Sequence, residues 1–364
     1  MPGATSRVPA LALLLTLAMV SSVSAQFLTE FPVGSQPFGI AAGTDGALWF
    51  TELSGNAIGR ITTAGVLTEF PIPTLSPTIG SAPYGIAAGP DGALWFVESF
   101  DNQIGRITTS GSISEFDLPT PNSRPFVIAP GPDGALWFSE SPNRIGRIST
   151  SGSITEFTLP NSVGGITTGP DGALWFTEGF AHQIGRMTTS GALIGEFSIP
   201  TPISQPSGIT VGPDGALWFT EYLGNKIGRI TLGGVVTDEF AIPTLGSRPA
   251  GITVGPDGAL WFTEVYGNNI GRITIAGAIT EFPLLGPQGP RDVVAGPDGA
   301  LWFTIQGSNE VGRLKLVGVT PTPTQTSTPT PSPAPRTIPI LFAPALVGLA
   351  IALGGLGLLV LAKG

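Results

Sequence analysis

The chain has 364 residues, 52 Gly, 36 Pro and no Cys; 11% of it is charged and the formal net charge is −9. Without cysteine there is no disulfide and no thiolate metal site, and an acidic balance without a basic patch excludes the electrostatic footprint of a nucleic-acid binder. So much Gly and Pro without a collagen period would suggest disorder, but these glycines recur at fixed intervals and read as turn residues.

Residues 1–25 read as a secretory signal. Arg7 is the positive start, Leu11 to Val20 the short apolar stretch, and Val23-Ser24-Ala25 a small-residue cleavage site before Gln26. A retained short membrane anchor is the alternative. Cysteine-free composition is compatible with export.

From there the chain is a repeat. Trp49, Trp95, Trp137, Trp175, Trp218, Trp261 and Trp302 each stand in a copy of G-x-D-G-A-L-W-F, with gaps of 46, 42, 38, 43, 43 and 41 residues. Strand-like pieces and glycine turns at that period are the signature of a β-propeller blade. In the first copy, strand A is Gly39 to Ala42 and Thr44-Asp45-Gly46 a turn; the other copies have Pro-Asp-Gly. Strand B is Ala47 to Glu52, Leu53 to Asn56 a loop, strand C Ile58 to Thr63, and strand D Val66 to Pro71.

If Ala64-Gly65 is a two-residue hairpin turn, Arg60 faces Glu69. The same count pairs Arg106 with Glu115, Arg147 with Glu156, and Arg272 with Glu281. Arg186–Glu196 and Arg229–Glu239 are one residue longer, which predicts a bulge or longer turn. A four-residue loop between B and C sets Trp49 opposite Arg60, within cation–π reach. The repeated Trp, Arg and Glu thus read first as a structural ladder.

The seventh copy has Arg313 but no following x-E-F strand, whereas Phe27-Leu28-Thr29-Glu30-Phe31-Pro32 at the start of the chain matches one. The N-terminal strand is therefore expected to complete the last blade, with Glu30 facing Arg313, and to remove the exposed sheet edge. The fold class expected is all-β: a seven-bladed propeller of four-stranded antiparallel blades over 26–318, as a monomer.

Beyond it, 319–337 is a Thr/Pro/Ser-rich stalk that favours polyproline II. Ile338 to Ala362 is an uncharged apolar run long enough to span a bilayer, followed by Lys363. Residues 338–364 thus read as a single transmembrane helix or, more loosely, a sorting signal. The expected location is extracytoplasmic, at the cell surface or in the periplasm.

The ladder leaves some residues over. Glu52, Glu98, Glu140, Glu178, Glu221 and Glu264 follow W-F-x, and Ile305 breaks the series. They end strand B, on the face that carries the D-to-A and B-to-C loops, the default ligand face. Two readings are open: each Glu accepts N–H groups of its own loop, or together they form an acidic ring for a cation such as Mg²⁺ or Ca²⁺. At the start of strand A, blades one to three carry Phe38, Tyr84 and Phe126, and blade seven carries Arg291. These aromatics could stack on a sugar or flat ligand, or pack the loops. His182 is the lone histidine; it aligns with an Asn in the other B-to-C loops, so a turn role is favoured over catalysis.

The repeat G-P-D-G-A-L-W-F-T-E, N-x-I-G-R and x-E-F resembles the streptogramin B lyase (virginiamycin B lyase) family over all seven copies. The resemblance implies a seven-bladed propeller that opens a cyclic antibiotic at its ester by Mg²⁺-dependent elimination. It implies a catalytic His immediately before G-I of a strand A, a metal-binding Glu two residues earlier, and another in W-F-x-E. Here the His position holds Phe38, Tyr84, Phe126, Gly164, Ser207, Ala250 or Arg291, and the earlier Glu position Gln36, Ala82, Arg124, Ser162, Gln205, Arg248 or Gly289. Only the W-F-x-E carboxylates match. The expectation is a module binding a small molecule, glycan or protein at the propeller mouth. A carbon–oxygen lyase or hydrolase with rearranged groups, His182 among them, is the alternative.

Overall fold

Strand B of every copy is apolar on both sides, and all of its residues are buried. Such a strand must lie inside a stack of sheets rather than on a half-wet surface. In the computed structural model, which describes residues 24–73, 80–286 and 289–317, the chain forms seven four-stranded antiparallel sheets. In the first blade strand A is Pro37–Ala42, B Ala47–Glu52, C Ala57–Thr62 and D Leu67–Pro71. The last blade is Pro290–Ala295, Leu301–Ile305, Glu310–Val317 and, as its fourth strand, the N-terminal Ser24–Pro32. The ring closes as the repeat count requires. Residues 1–23 of the expected signal, the stalk and the expected C-terminal helix lie outside the described residues. Among the described residues no helix is long and apolar enough to cross a membrane.

Alternation along the strands gives each blade two faces. On one, the Trp of strand B lies under the Arg of strand C and stacks on the Phe of strand D: Trp49–Phe70 centroids are 5.5 Å apart at 15°, and Phe31–Trp302 repeats this in the closing blade at 5.5 Å and 13°. On the other, the Phe of strand B lies against the Gly of I-G-R. A Cβ on Gly59 would stand 2.1 Å from the Phe50 ring, so that close approach admits no side chain. The Trp face of one blade packs on the Phe face of the next, Trp49 against Leu94 and Phe96, and Trp302 against Leu48 and Phe50 across the closure. Seven such interfaces hold the core.

The register corrects one expectation. Trp49 stands opposite Arg60 as expected, with the guanidinium 5.7 Å from the ring centroid. Glu69, however, faces Gly59, and Arg60 faces Thr68. Arg106, Arg147 and Arg272 likewise face Ser114, Thr155 and Thr280, and Arg313 faces Thr29 while Glu30 faces Gly312. The hairpin loop has three residues, not two: Thr62 N–H donates to Val66 O, Gly65 N–H to Thr62 O, and Gly65 takes φ 88°. One extra loop residue slips the register by one and puts Arg and Glu on opposite faces of the sheet. The two longer copies carry the expected bulges, at Arg186/Met187 and Arg229/Ile230.

The arginine's true partner is the turn aspartate. In every blade the Asp of the D-G turn accepts the Trp indole N–H at 2.9–3.2 Å. Its other oxygen meets the Arg guanidinium at 2.6–2.7 Å. Desolvation pushes these carboxyls up, but the indole, guanidinium and backbone N–H donors outweigh it and hold Asp45, Asp91, Asp133 and Asp214 below the usual range. Turn, strand B and strand C are thereby tied together by one carboxylate.

Candidate functional site

The six W-F-x-E glutamates end strand B on the face expected, but they do not open to solvent or to one another. Each is at most 2% exposed. Each meets the x-E-F glutamate of its own blade, because the register slip puts that residue on the same face: Glu52 with Glu69, Glu98 with Glu115, Glu140 with Glu156, Glu178 with Glu196, Glu221 with Glu239 and Glu264 with Glu281. Burial is the main cause that pushes them up, and the second carboxyl adds to it: to about 7 for Glu52, Glu140, Glu178 and Glu264, and about 8 for Glu98 and Glu221. Glu221 is raised by burial and then by Glu239, while Lys226 and the Thr201 hydroxyl oppose the shift only in part. These are six separate two-carboxyl units.

The last blade departs from this plan. Ile305 replaces the Glu and is fully buried, leaving Glu30 raised by burial and by Glu310. Strand A departs as well. Where blades 1, 2, 4, 5 and 6 have the glycine of G-I, blade 7 has Asp292. Its carboxylate accepts Ile40 N–H of the first blade at 3.1 Å and Val293 N–H at 2.9 Å, and desolvation pushes it up to about 6. A different side chain sews most of the other strands A together: the hydroxyl of W-F-T, as when Thr51 Oγ1 accepts Gly39 N–H and donates to Tyr84 O.

At the mouth lies a cavity of about 500 Å³. Phe38 and Phe126 form one wall, Tyr84 packs between them with centroids 4.9 and 5.1 Å away, and Arg291 sets its guanidinium 5.9 Å from the Phe38 ring. Of the residues singled out by sequence, the structure brings together Phe38, Tyr84, Phe126 and Arg291; none of the six glutamates lines this cavity. The lining also contains residues that sequence reasoning missed: Phe180, 80% exposed, and Tyr222 from blades four and five, and Asp292 next to Arg291. Arg248 stacks on Tyr266 at 4.2 Å and on Tyr222 at 5.4 Å. The available signal was an aromatic just after W-F-T-E, in E-G-F, E-Y and E-V-Y.

His182 belongs to a loop turn. It takes φ 58°, beside Asn56, Asn102, Asn225, Asn268 and Asn309 at 49–60°, and its Nδ1 accepts Gln205 N–H at 3.2 Å. Asn309 Oδ1 accepts Gln36 N–H at the matching place in the ring. The ring nitrogen does what the amide oxygen does elsewhere.

The Mg²⁺ centre that the resemblance implies does not fit these residues. No blade combines a His with two Glu at the three matching positions, and blade 7 holds Gly289, Arg291 and Ile305 there. The surviving glutamates are buried, each beside a second carboxyl that raises it further. Among the described residues no group of three or more His, Asp or Glu could hold a metal.

A sequence profile described as the virginiamycin B lyase family matches residues 22–162 and 77–348. Virginiamycin B lyases of Bordetella parapertussis and Bordetella bronchiseptica are each 51% identical over 49 residues, 13% of this chain and 16% of theirs. The chain thus matches about one sixth of the length of these curated relatives. A streptogramin B lyase structure superposes with a TM-score of 0.75 at 40% identity, covering 80% of this chain and 97% of that one. A catalytically inactive His-to-Ala virginiamycin B lyase from Staphylococcus aureus with quinupristin gives 0.75 at 43%, covering 80% and 99%. With seven matching blades and a family profile that spans them, the chain belongs to the virginiamycin B lyase family.

Proposed function

We propose that this protein is a ligand-binding propeller rather than a lyase, exported and held on the extracytoplasmic side by the apolar segment 338–364. One observation carries the reading. The mouth keeps a lined cavity, while His and the first metal Glu are missing in every blade and blade 7 has lost all three family positions. A general base must lie within hydrogen-bond reach of the proton it removes. The Nδ1 of His182, the lone histidine, accepts the backbone N–H of Gln205 from the following D-to-A loop.

The cavity size is within the range of small-molecule sites, about 300–1,000 Å³. Aromatic rings at its wall supply stacking area, and Arg291 supplies a fixed donor fork. The test is incubation of the purified full chain with a streptogramin B and Mg²⁺, followed by chromatographic retention, since elimination leaves the mass unchanged. An intact ring is expected. Ring opening would establish the lyase reading, with Asp292 as the acid–base group in the cavity to test first by Asp292→Asn. Export and anchoring are checked by fractionation: the protein is expected with the membrane and open to protease added from outside.

A further inference from the structure

Nine ion pairs occur among the described residues, and they occupy the seven ladder arginines and Lys226. Among the described residues four arginines lie outside the ladder, Arg124, Arg144, Arg248 and Arg291, and none of them has a described carboxylate within 4.0 Å. All four stand on mouth-face segments: Arg124 and Arg248 precede strand A, Arg291 is the second residue of one, and Arg144 starts a strand C. The glutamates that end strand B are buried, and none of them lines the mouth cavity. Arg144 stands across the strands from Glu140, whose carboxyl it lowers, so Arg124, Arg248 and Arg291 are the mouth-face guanidinium groups without a close carboxylate in a protein of net charge −9.

Two of them reach the same pair of cavities: Arg291 lines both, and Arg248, which lines neither, stacks on a tyrosine of each. Arg248 lies over Tyr266 and Tyr222, and Arg291 lies over Phe38 while its Nε donates to Gln306 Oε1 at 2.6 Å. A guanidinium stacked on a ring keeps its in-plane N–H donors, the fork that matches a carboxylate or sulfate in two hydrogen bonds. Beside the axial cavity is a second one of about 720 Å³, which shares Arg291 with it and carries Tyr266. Apart from Val265, its other side chains are amides and hydroxyls, among them Gln36, Ser54, Asn268, Gln306 and Asn309. Asp292, the one acid on the axial cavity wall, directs its oxygens at the Ile40 and Val293 amides.

We infer that the mouth binds an acidic oligosaccharide. A sugar ring stacks on the Phe38–Phe126 wall, a carboxylate or sulfate sits on the Arg248 and Arg291 forks, and the hydroxyls of the next rings lie along the polar cavity. This rests on the ligand-binding reading and names its ligand class. An aromatic wall alone would suit any flat apolar body. The amide-lined extension calls for a ligand rich in hydroxyls, and the unpaired arginines call for negative charge.

The test is calorimetric titration of the full chain with α-1,4-linked trigalacturonate, the neutral trigalactose of the same linkage, and inorganic sulfate. The acidic trisaccharide is expected to bind at least tenfold more tightly than the neutral one, and to weaken as salt rises. Arg291→Gln and Arg248→Gln are each expected to bring it to the neutral level with Tm unchanged. If either glutamine variant fails to fold, Arg→Lys at the same site keeps the charge without the fork and should lose at least threefold. Equal binding of acidic and neutral sugars, sulfate competing as strongly as the trisaccharide, or no heat from either sugar at millimolar concentration would overturn the inference. A ring-opened streptogramin would instead sink the binding-module reading, whatever the sugars do.

Discussion

The two ends of the blades make opposite use of the same repeat. At the turn end all seven copies agree: one Asp, one indole N–H and one guanidinium, at nearly constant distances. At the mouth end the copies disagree, and the residues that differ, Phe38, Phe126, Phe180, Tyr222, Arg291 and Asp292, are those that line the cavity. Repetition marks a problem each blade solves alone, which is joining a turn to two strands. Divergence marks a surface that seven blades build together and use once.

The comparison breaks first if the turn end proves dispensable. Trp218→Ala removes a fully buried ring that stacks on Phe240 and fills the interface to the next blade. It should cost about 3–5 kcal/mol by chemical denaturation. Phe126→Ala at the mouth, where the ring is 41% exposed, should cost less than half of that. Equal losses would contradict the division of labour. Next comes Asp214→Ala, which orphans the Trp218 indole N–H and leaves Arg229 only its Thr237 and longer Asp238 contacts, and should cost about 1–3 kcal/mol.

The carboxyl pairs sharpen the same comparison through pH. Glutamates raised to about 7 or 8 bind protons more tightly when folded than when unfolded. The stability they contribute is complete below the unfolded value near 4.5 and is lost as pH rises through 7 to 8. The turn aspartates work the other way, and their share is lost as pH falls through the depressed folded values. Tm is therefore expected to be higher at pH 5 than at pH 8.5, by about 5 °C, when followed by calorimetry. Glu264→Gln, which keeps a neutral side chain beside Glu281, should flatten that slope. A Tm that rises from pH 5 to 8.5 would show the pairs ionised. The smallest effect is His182→Asn, which puts the common turn residue in place and should change stability by under about 0.5 kcal/mol.

The count of blades was legible because Trp and E-F each occur seven times, one E-F ahead of the first Trp. The Trp49–Arg60 register was legible because the B-to-C loop has one length in most copies. The Arg partner was not. Thr63-Ala64-Gly65 and Ala64-Gly65 both make good hairpin turns, and the choice between them moves Glu69 to the other face. Asp45 read only as a turn former, since its two partners are 4 and 15 residues away on different strands. At the mouth, Phe38, Tyr84, Phe126 and Arg291 were visible because they share one motif position. Arg248, Phe180, Tyr222 and Tyr266 converge from different loops, and only the ring arrangement brings them to one place. The glutamates were visible as a series, but burial against a second carboxyl depends on the register that sequence left open.

The account's central claim is that this chain keeps the family's scaffold without its metal–histidine centre. Calorimetric titration of Mg²⁺ into the full chain at pH 7, with an active virginiamycin B lyase as control, tests it most directly. The account predicts no saturable uptake and an unchanged Tm. Stoichiometric uptake, lost in Glu264→Gln or in another of the six glutamate variants, would contradict it.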